Sequence, residues 1–243
     1  MAAQRVYQLR GVTKVWAAAG TAFRLEIPQL SVAAGEKIAV IGVSGCGKST
    51  LLDLLGLALS PSSAGQFNFA PVDGAICAID AMWAKRQSDG LSDLRKRHIG
   101  YVIQTGGLLP FLSVRDNIAL SRRMLDLPDD GTVEALAERA GIAQHLGKRP
   151  SALSIGERQR VAVIRALAHS PSVIIADEPT AALDPLTATQ IMTLLFDLAA
   201  DVGSTLILAS HDWARIDARA LRRLHHELGP AAEAGATLSI FGD

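Results

Sequence analysis

Residues Gly42 to Thr50, GVSGCGKST, place three glycines, a lysine and three hydroxyls at the spacing G-x-x-x-x-G-K-[ST]. That spacing is suited to a polyphosphate. Gly42, Gly45 and Gly47 let the backbone curl round an anion with its N–H groups pointing inward. Lys48 supplies a mobile charge for the β and γ phosphates, and Ser49 a hydroxyl for Mg²⁺. Cys46 fills a variable slot of the loop as a small residue. A second cluster closes the run Val173 to Glu178, VIIADE, with two acids. Successive strand side chains point to opposite sides, so Asp177 can face the metal held by Ser49 while Glu178 reaches toward an attacking water. One acid then holds metal and the other acts as base.

These groups need elements to hold them. The apolar run Ile38 to Ile41 before the loop and the run Leu51 to Leu57 after it read as strand, glycine loop and helix, and a helix starting near Lys48 adds its positive end to the anion site. SVIIADEP (Ser172–Pro179) and STLILASHD (Ser204–Asp212) are β-branched runs of the kind buried on both faces of a parallel sheet, whose carboxyl ends are where ligands sit. VYQLRGVTKVW and FRLEIPQLSV alternate, as short β structure does. Residues 60–98, with Pro61, Gly65, Pro71 and then AKRQSDGLSDLRKRH, read as a solvated surface connection. From Ser113 to His169 the pattern turns helical: SVRDNIALSRRML opens on a capping box, and TVEALAERAG ends on Gly141 as a C-cap. These patterns give an α/β fold, and the resemblance of GVSGCGKST to the phosphate loop of P-loop NTPases implies a RecA-like P-loop NTPase core with a parallel sheet, a small N-terminal antiparallel β region and an inserted helical subdomain. Within one domain over 1–243, residues 1–105 and 170–243 form the nucleotide-binding core and 106–169 the helical subdomain.

The 243 residues are enough for a full core. With 24 basic and 24 acidic side chains, the overall charge points to neither nucleic acid nor an anionic membrane. Two cysteines, Cys46 and Cys77, make no disulfide framework, which suits a reducing compartment. The uninterrupted apolar runs fall short of the roughly 18 residues of a membrane span, and the N-terminus, with Arg5 and Arg10, has no signal-type apolar region. Direct membrane insertion is therefore not expected, and any membrane role would come through a partner.

Ahead of the acidic strand lies ALSIGERQRVAVIRAL, Ala152–Leu167. Ser154 with Glu157 three residues on makes a capping box, and a serine hydroxyl can accept from its own helix while still donating to a phosphate. This segment resembles the signature of the ABC ATPases, usually LSGGQ. The resemblance covers residues 5 to 215 and implies ATP and Mg²⁺ as cofactors. It implies a homodimer in which Ser154, Gly156 and Glu157 complete the nucleotide site of a second copy. Gln104 in IGYVIQ is similar to the family's Q-loop glutamine, which touches metal and water. Asp184 in AALDP matches the D-loop aspartate, and His211 in ILASHD the switch histidine at the γ phosphate. Ser44 and Thr50 join the cradle residues as nucleotide contacts. Trp16 stands where the family stacks an aromatic on adenine; a core aromatic is the rival reading, with Phe23 the alternate stacker.

Within the family, the chain looks closest to the lipoprotein-release, macrolide-export and FtsE group, which implies integral membrane (permease) partners and a place on the cytoplasmic face of the inner membrane. Four features depart from the family pattern: Ile155 replaces the first signature glycine, isoleucine stands at 103, residues 66–94 are longer than usual, and the tail lacks the familiar Asp-Gly hairpin. The run GGLLPFL, Gly106–Leu112, is either core of the helical subdomain or a groove for a short partner helix. A transporter subunit and a non-transport mechanotransmission module both fit. A soluble ABC ATPase acting on DNA or ribosomes fits less well, since such proteins usually carry two nucleotide domains or a long coiled-coil insertion.

Overall fold

The computed structural model describes residues 4–18, 21–72, 74–211, 221–230 and 236–243. Alternating apolar residues make the opening a long antiparallel hairpin of β1 (Arg5–Ala18) and β2 (Thr21–Ala33), with Leu9 opposite Leu30, Val12 opposite Ile27 and Trp16 opposite Phe23. The continuous apolar run gives β3 (Lys37–Ile41), buried from Ile38 onward, and α1 (Lys48–Leu55) follows the glycine loop with Leu51, Leu52, Leu54 and Leu55 buried.

Residues 60–98, expected as a solvated connection, are instead regular. They hold β4 (Gln66–Phe69), β5 (Cys77–Ala78), α2 (Ile79–Ala84) and α3 (Ser88–His98). β4 pairs antiparallel with β1, and Phe67, Phe69, Ile79 and Leu91 are fully buried. The alternation Gln66-Phe67-Asn68-Phe69 carried this signal. It is only four residues long, and the nearby prolines and Gly65 outweighed it in a propensity reading.

The chain continues through β6 (Ile99–Val102), α4 (Val114–Met124), α5 (Thr132–Arg139), single turns at 143–145 and 150–152, α6 (Ile155–Leu167), β7 (Val173–Asp177), α7 (Pro185–Asp201) and the wholly buried β8 (Thr205–Ser210). It ends in β9 (Arg222–Arg223), β10 (His225–Pro230) and β11 (Ala236–Gly242). Two compact units result, Met1–Arg95 with Ile207–Asp243, and Lys96–Leu206.

In the first unit a six-stranded sheet runs β10-β11-β2-β1-β4-β5. It is antiparallel except where β11 lies parallel to β2, Ser239 opposite Leu25. β3 pairs in parallel with β9. The tail without an Asp-Gly turn still forms a hairpin, β10 with β11, His226 opposite Phe241. In the second unit β6 and β7 are parallel, Ile99 opposite Val173, and α6 packs on β6, α4 and α7. The helix signals hold there. Ser113 caps α4 by accepting from Asp116 N at 3.0 Å, and Gly141 follows α5 with φ 67, the left-handed exit that glycine permits.

Candidate functional site

In the first unit the glycine loop leaves the carboxyl end of β3. Gly47 takes φ 97, and a Cβ there would stand 2.7 Å from Phe23 Cζ, so only glycine can hold this turn against β2. α1 begins at Gly47 with no side-chain cap. The N-cap residue itself thus offers no side-chain acceptor to that helix start, which fits the loop to an anionic group. Lys48 is buried at 5% exposure, and its Nζ donates to the carbonyls of Gly42 (2.8 Å) and Val43 (3.0 Å). The ammonium therefore lies over its own loop. Cys46 is buried; Ser44 is exposed and Ser49 and Thr50 lie at the start of α1.

Trp16 is half exposed near the end of β1, with Lys14 Nζ 4.6 Å from its ring centroid. It is a surface aromatic, while its cross-strand partner Phe23 lies against Gly47. His211 is exposed directly after β8. Asp212 and the rest of the expected match to 215 lie outside the described residues.

In the second unit the signature helix α6 starts on a complete capping box: Ser154 Oγ accepts from Glu157 N at 3.2 Å, and Glu157 accepts from Ser154 N at 2.7 Å. His145 Nε2 stands 2.8 Å from the other oxygen of Glu157. The hydrogen bonds from Ser154, ahead of the nearby His145, hold the Glu157 carboxyl below its usual pKa. A Cβ on Gly156 would meet the Thr187 methyl at 2.8 Å, so the signature packs directly on the start of α7. There Asp184 is the N-cap, accepting from Leu186 N (3.1 Å) and Thr187 N (3.0 Å), and the Thr187 bond chiefly lowers its pKa. Signature and Asp184 are thus one connected surface. Ile155, at the variant signature position, is 53% exposed.

Asp177 ends β7. Glu178 follows at φ 44, a left-handed backbone that costs a non-glycine residue on the order of 1 kcal/mol. Such strain fits a residue held for a task. Gln104 is exposed after β6, and two side chains that sequence reasoning missed fix the loop beyond it. Arg165 of α6 donates to the carbonyls of Gly106 (2.9 Å) and Gly107 (2.8 Å). Asn117 of α4 accepts from Leu109 N at 2.8 Å and donates to the carbonyls of Leu109 (3.1 Å) and Ser113 (3.0 Å). Asn117 was detectable as a polar residue on the buried stripe of a helix; Arg165 carried no such mark. The loop so held leaves Phe111 67% exposed and Leu108 and Leu109 half-buried.

A profile described as ABC transporter matches residues 25–181. The chain belongs to that family, and it is an ATPase domain of it with the α/β P-loop fold expected from the sequence. "Macrolide export ATP-binding/permease protein MacB 1" of Aeromonas hydrophila is 38% identical over 188 residues, 76% of this chain and 27% of that protein. "Lipoprotein-releasing system ATP-binding protein LolD" of Hyphomonas neptunium is 35% identical over 215 residues, 87% of this chain and 90% of that one. The dimeric post-hydrolysis structure of the ATP-binding cassette MJ0796 bound to ADP and Pi shares the fold with TM-score 0.70 and 28% identity, over 86% of this chain and 89% of that one. The chain therefore spans 27% of the first exporter and most of the lipoprotein-release subunit. Among the described residues no helix is long and apolar enough to cross a membrane.

Proposed function

We propose that this chain is the ATP-hydrolysing subunit of a membrane ABC complex, in which two copies close head to tail around two Mg-ATP and drive a conformational change in integral membrane partners. The observation that carries the reading is the cradle itself: an uncapped helix start, a left-handed Gly47 and a lysine lying on the loop. In this reading Gly42 to Thr50 bind the phosphates and Trp16 stacks on adenine. Ser49, Gln104 and Asp177 would hold Mg²⁺, which would offset the negative charge of the phosphates when bound. Glu178 takes the proton of the attacking water, and His211 meets the γ phosphate. Ser154, Gly156, Glu157 and Asp184 act on the nucleotide of the other copy, and residues 106–169 serve as the signature subdomain.

The contrast between two variants tests this. Lys48→Ala should weaken Mg-ATP binding on the order of 10²-fold, through loss of a charged donor to phosphate. Glu178→Gln should keep binding and hydrolyse on the order of 10² to 10⁴ times more slowly, the size of a general-base effect. A Glu178→Gln chain that releases phosphate at the parent rate rules out that role.

The exposed Phe111, on a loop pinned by Asn117 and Arg165, supports a docking site for a short cytoplasmic helix of the membrane subunit. The chain would then sit on the cytoplasmic face of the inner membrane through that partner. Phe111→Ser should leave ATP binding intact and reduce recovery with the partner's membrane fraction; undiminished recovery excludes this contact. A complex that uses the same cycle for mechanotransmission, with nothing transported, is the second reading, and the names of the export and lipoprotein-release relatives favour the first.

A further inference from the structure

The loop that cradles phosphate is held from outside by two neighbouring strands. Phe23 and Leu25 of β2 lie against Gly47, and Ser239 of β11, which pairs with Leu25, donates its hydroxyl to the carbonyl of Cys46 at 2.6 Å. Ser239 is fully buried and stands 193 positions away in sequence. Both contacts therefore converge on one peptide group, Cys46–Gly47.

That group is planar and trans, so its C=O and N–H point in opposite directions. Fixing the oxygen fixes the direction of the Gly47 N–H. The Ser239 hydroxyl has one hydrogen, and the Cys46 carbonyl, which can only accept, takes it. His226 Nε2, 3.1 Å from the same Ser239 Oγ, must then be the donor. The imidazole that provides it stacks on the buried Phe241 at 4.5 Å and lies beside Gly42, where a Cβ would stand 3.3 Å from Nδ1. Burial first, then Lys48 and His225, holds His226 below the ordinary imidazole pKa, which agrees with a neutral ring carrying its proton on Nε2. The hairpin is itself anchored near the other end of β11: Arg222 pairs with Glu36 (2.6 Å) and with Asp243 (2.8 Å).

We propose that Ser239 and His226 are positioning residues for nucleotide binding, a relay from the C-terminal hairpin through the Cys46 carbonyl that aims the Gly47 N–H at the phosphates. The relay rests on the cradle reading given above. Neither residue touches nucleotide in this proposal; each acts through the loop's backbone.

Titration of the purified full chain with Mg-ATP and Mg-ADP tests it. Ser239→Ala should stay folded, with a melting temperature lowered by the two hydrogen bonds it loses, and bind both nucleotides about fivefold more weakly, the effect of one neutral hydrogen bond. Ser239→Thr, which keeps the hydroxyl, should recover most of the affinity. The loss should appear in KM with kcat little changed, and the Gly47 amide resonance of the nucleotide-free chain should shift in the Ala variant alone. A folded Ser239→Ala chain with parent affinity overturns the relay, and so does a normally melting Thr variant as weak as Ala. If Ser239→Ala fails to fold, His226→Ala against His226→Gln decides: weaker binding by Ala with recovery by Gln supports the relay, and parent affinity in the Ala variant overturns it. A parent chain that binds no Mg-ATP removes the cradle reading and the relay together, which separates that failure from failure of the relay alone.

Discussion

The helices that begin at Lys48 and at Ile155 both start where the sequence marks a phosphate contact, and they are built in opposite ways. α1 has no side-chain cap and enters from a left-handed glycine. α6 has a complete capping box, with Ser154 and Glu157 serving each other's backbone N–H groups. A helix start left open holds an anion with its own donors; one already capped has fewer to offer. What α6 retains is the hydroxyl hydrogen of Ser154, which the cap does not use, and the close surface at Gly156. In the reading proposed above, the cradle binds nucleotide by itself and the signature meets one that another copy holds.

The sharpest way to break this contrast is to mix lesions. A heterodimer of a Lys48→Ala chain with a Ser154→Arg chain places both lesions on one composite site and leaves the other intact. ATPase activity should return in the mixture while each homodimer is inactive. A mixture as inactive as its parents contradicts action across the dimer by a single intact site.

A smaller effect lies beyond the far end of α6, at the buried His169. Burial, with His98 and Arg122 adding to it, pushes its pKa from 6.5 to about 4. Because the folded value is depressed, the unfolded chain takes up the proton first. Stability is therefore full above pH 6.5 and falls as pH drops toward 4, by about 3 kcal/mol in all. Melting temperature against pH should show this slope in the parent and a flatter one in His169→Leu; equal slopes would assign the acid sensitivity elsewhere. The smallest effect is at the cap. Ser154→Ala should cost about 1 kcal/mol of stability, and a denaturant midpoint unchanged by it would mean that the capping box contributes nothing to the fold.

The chemistry of this chain was more legible than its supports. GVSGCGKST, VIIADE and the Ser154–Glu157 pair are local patterns, each read within about nine residues, and the strands and helices they require are where the pattern puts them. Three things were not readable. The four-residue strand Gln66–Phe69 gave too short an alternation to outweigh its proline and glycine neighbours. The sequence offers Trp16 as the stacking aromatic with Phe23 the alternate, and only the register shows them opposite each other with Trp16 half exposed. Ser239 bears no local mark at all, because its meaning depends on a carbonyl it meets only in the fold.

That last contact also has a timing. At a synthesis rate of about 5–20 residues per second, the 193 positions from Cys46 to Ser239 take roughly 10 to 40 s to make. Throughout that interval the nascent chain carries the residues of the glycine loop without the hydroxyl that meets them in the native fold. If the proposed relay holds, an emerging subunit reaches its full nucleotide affinity only once β11 has left the ribosome and joined β2.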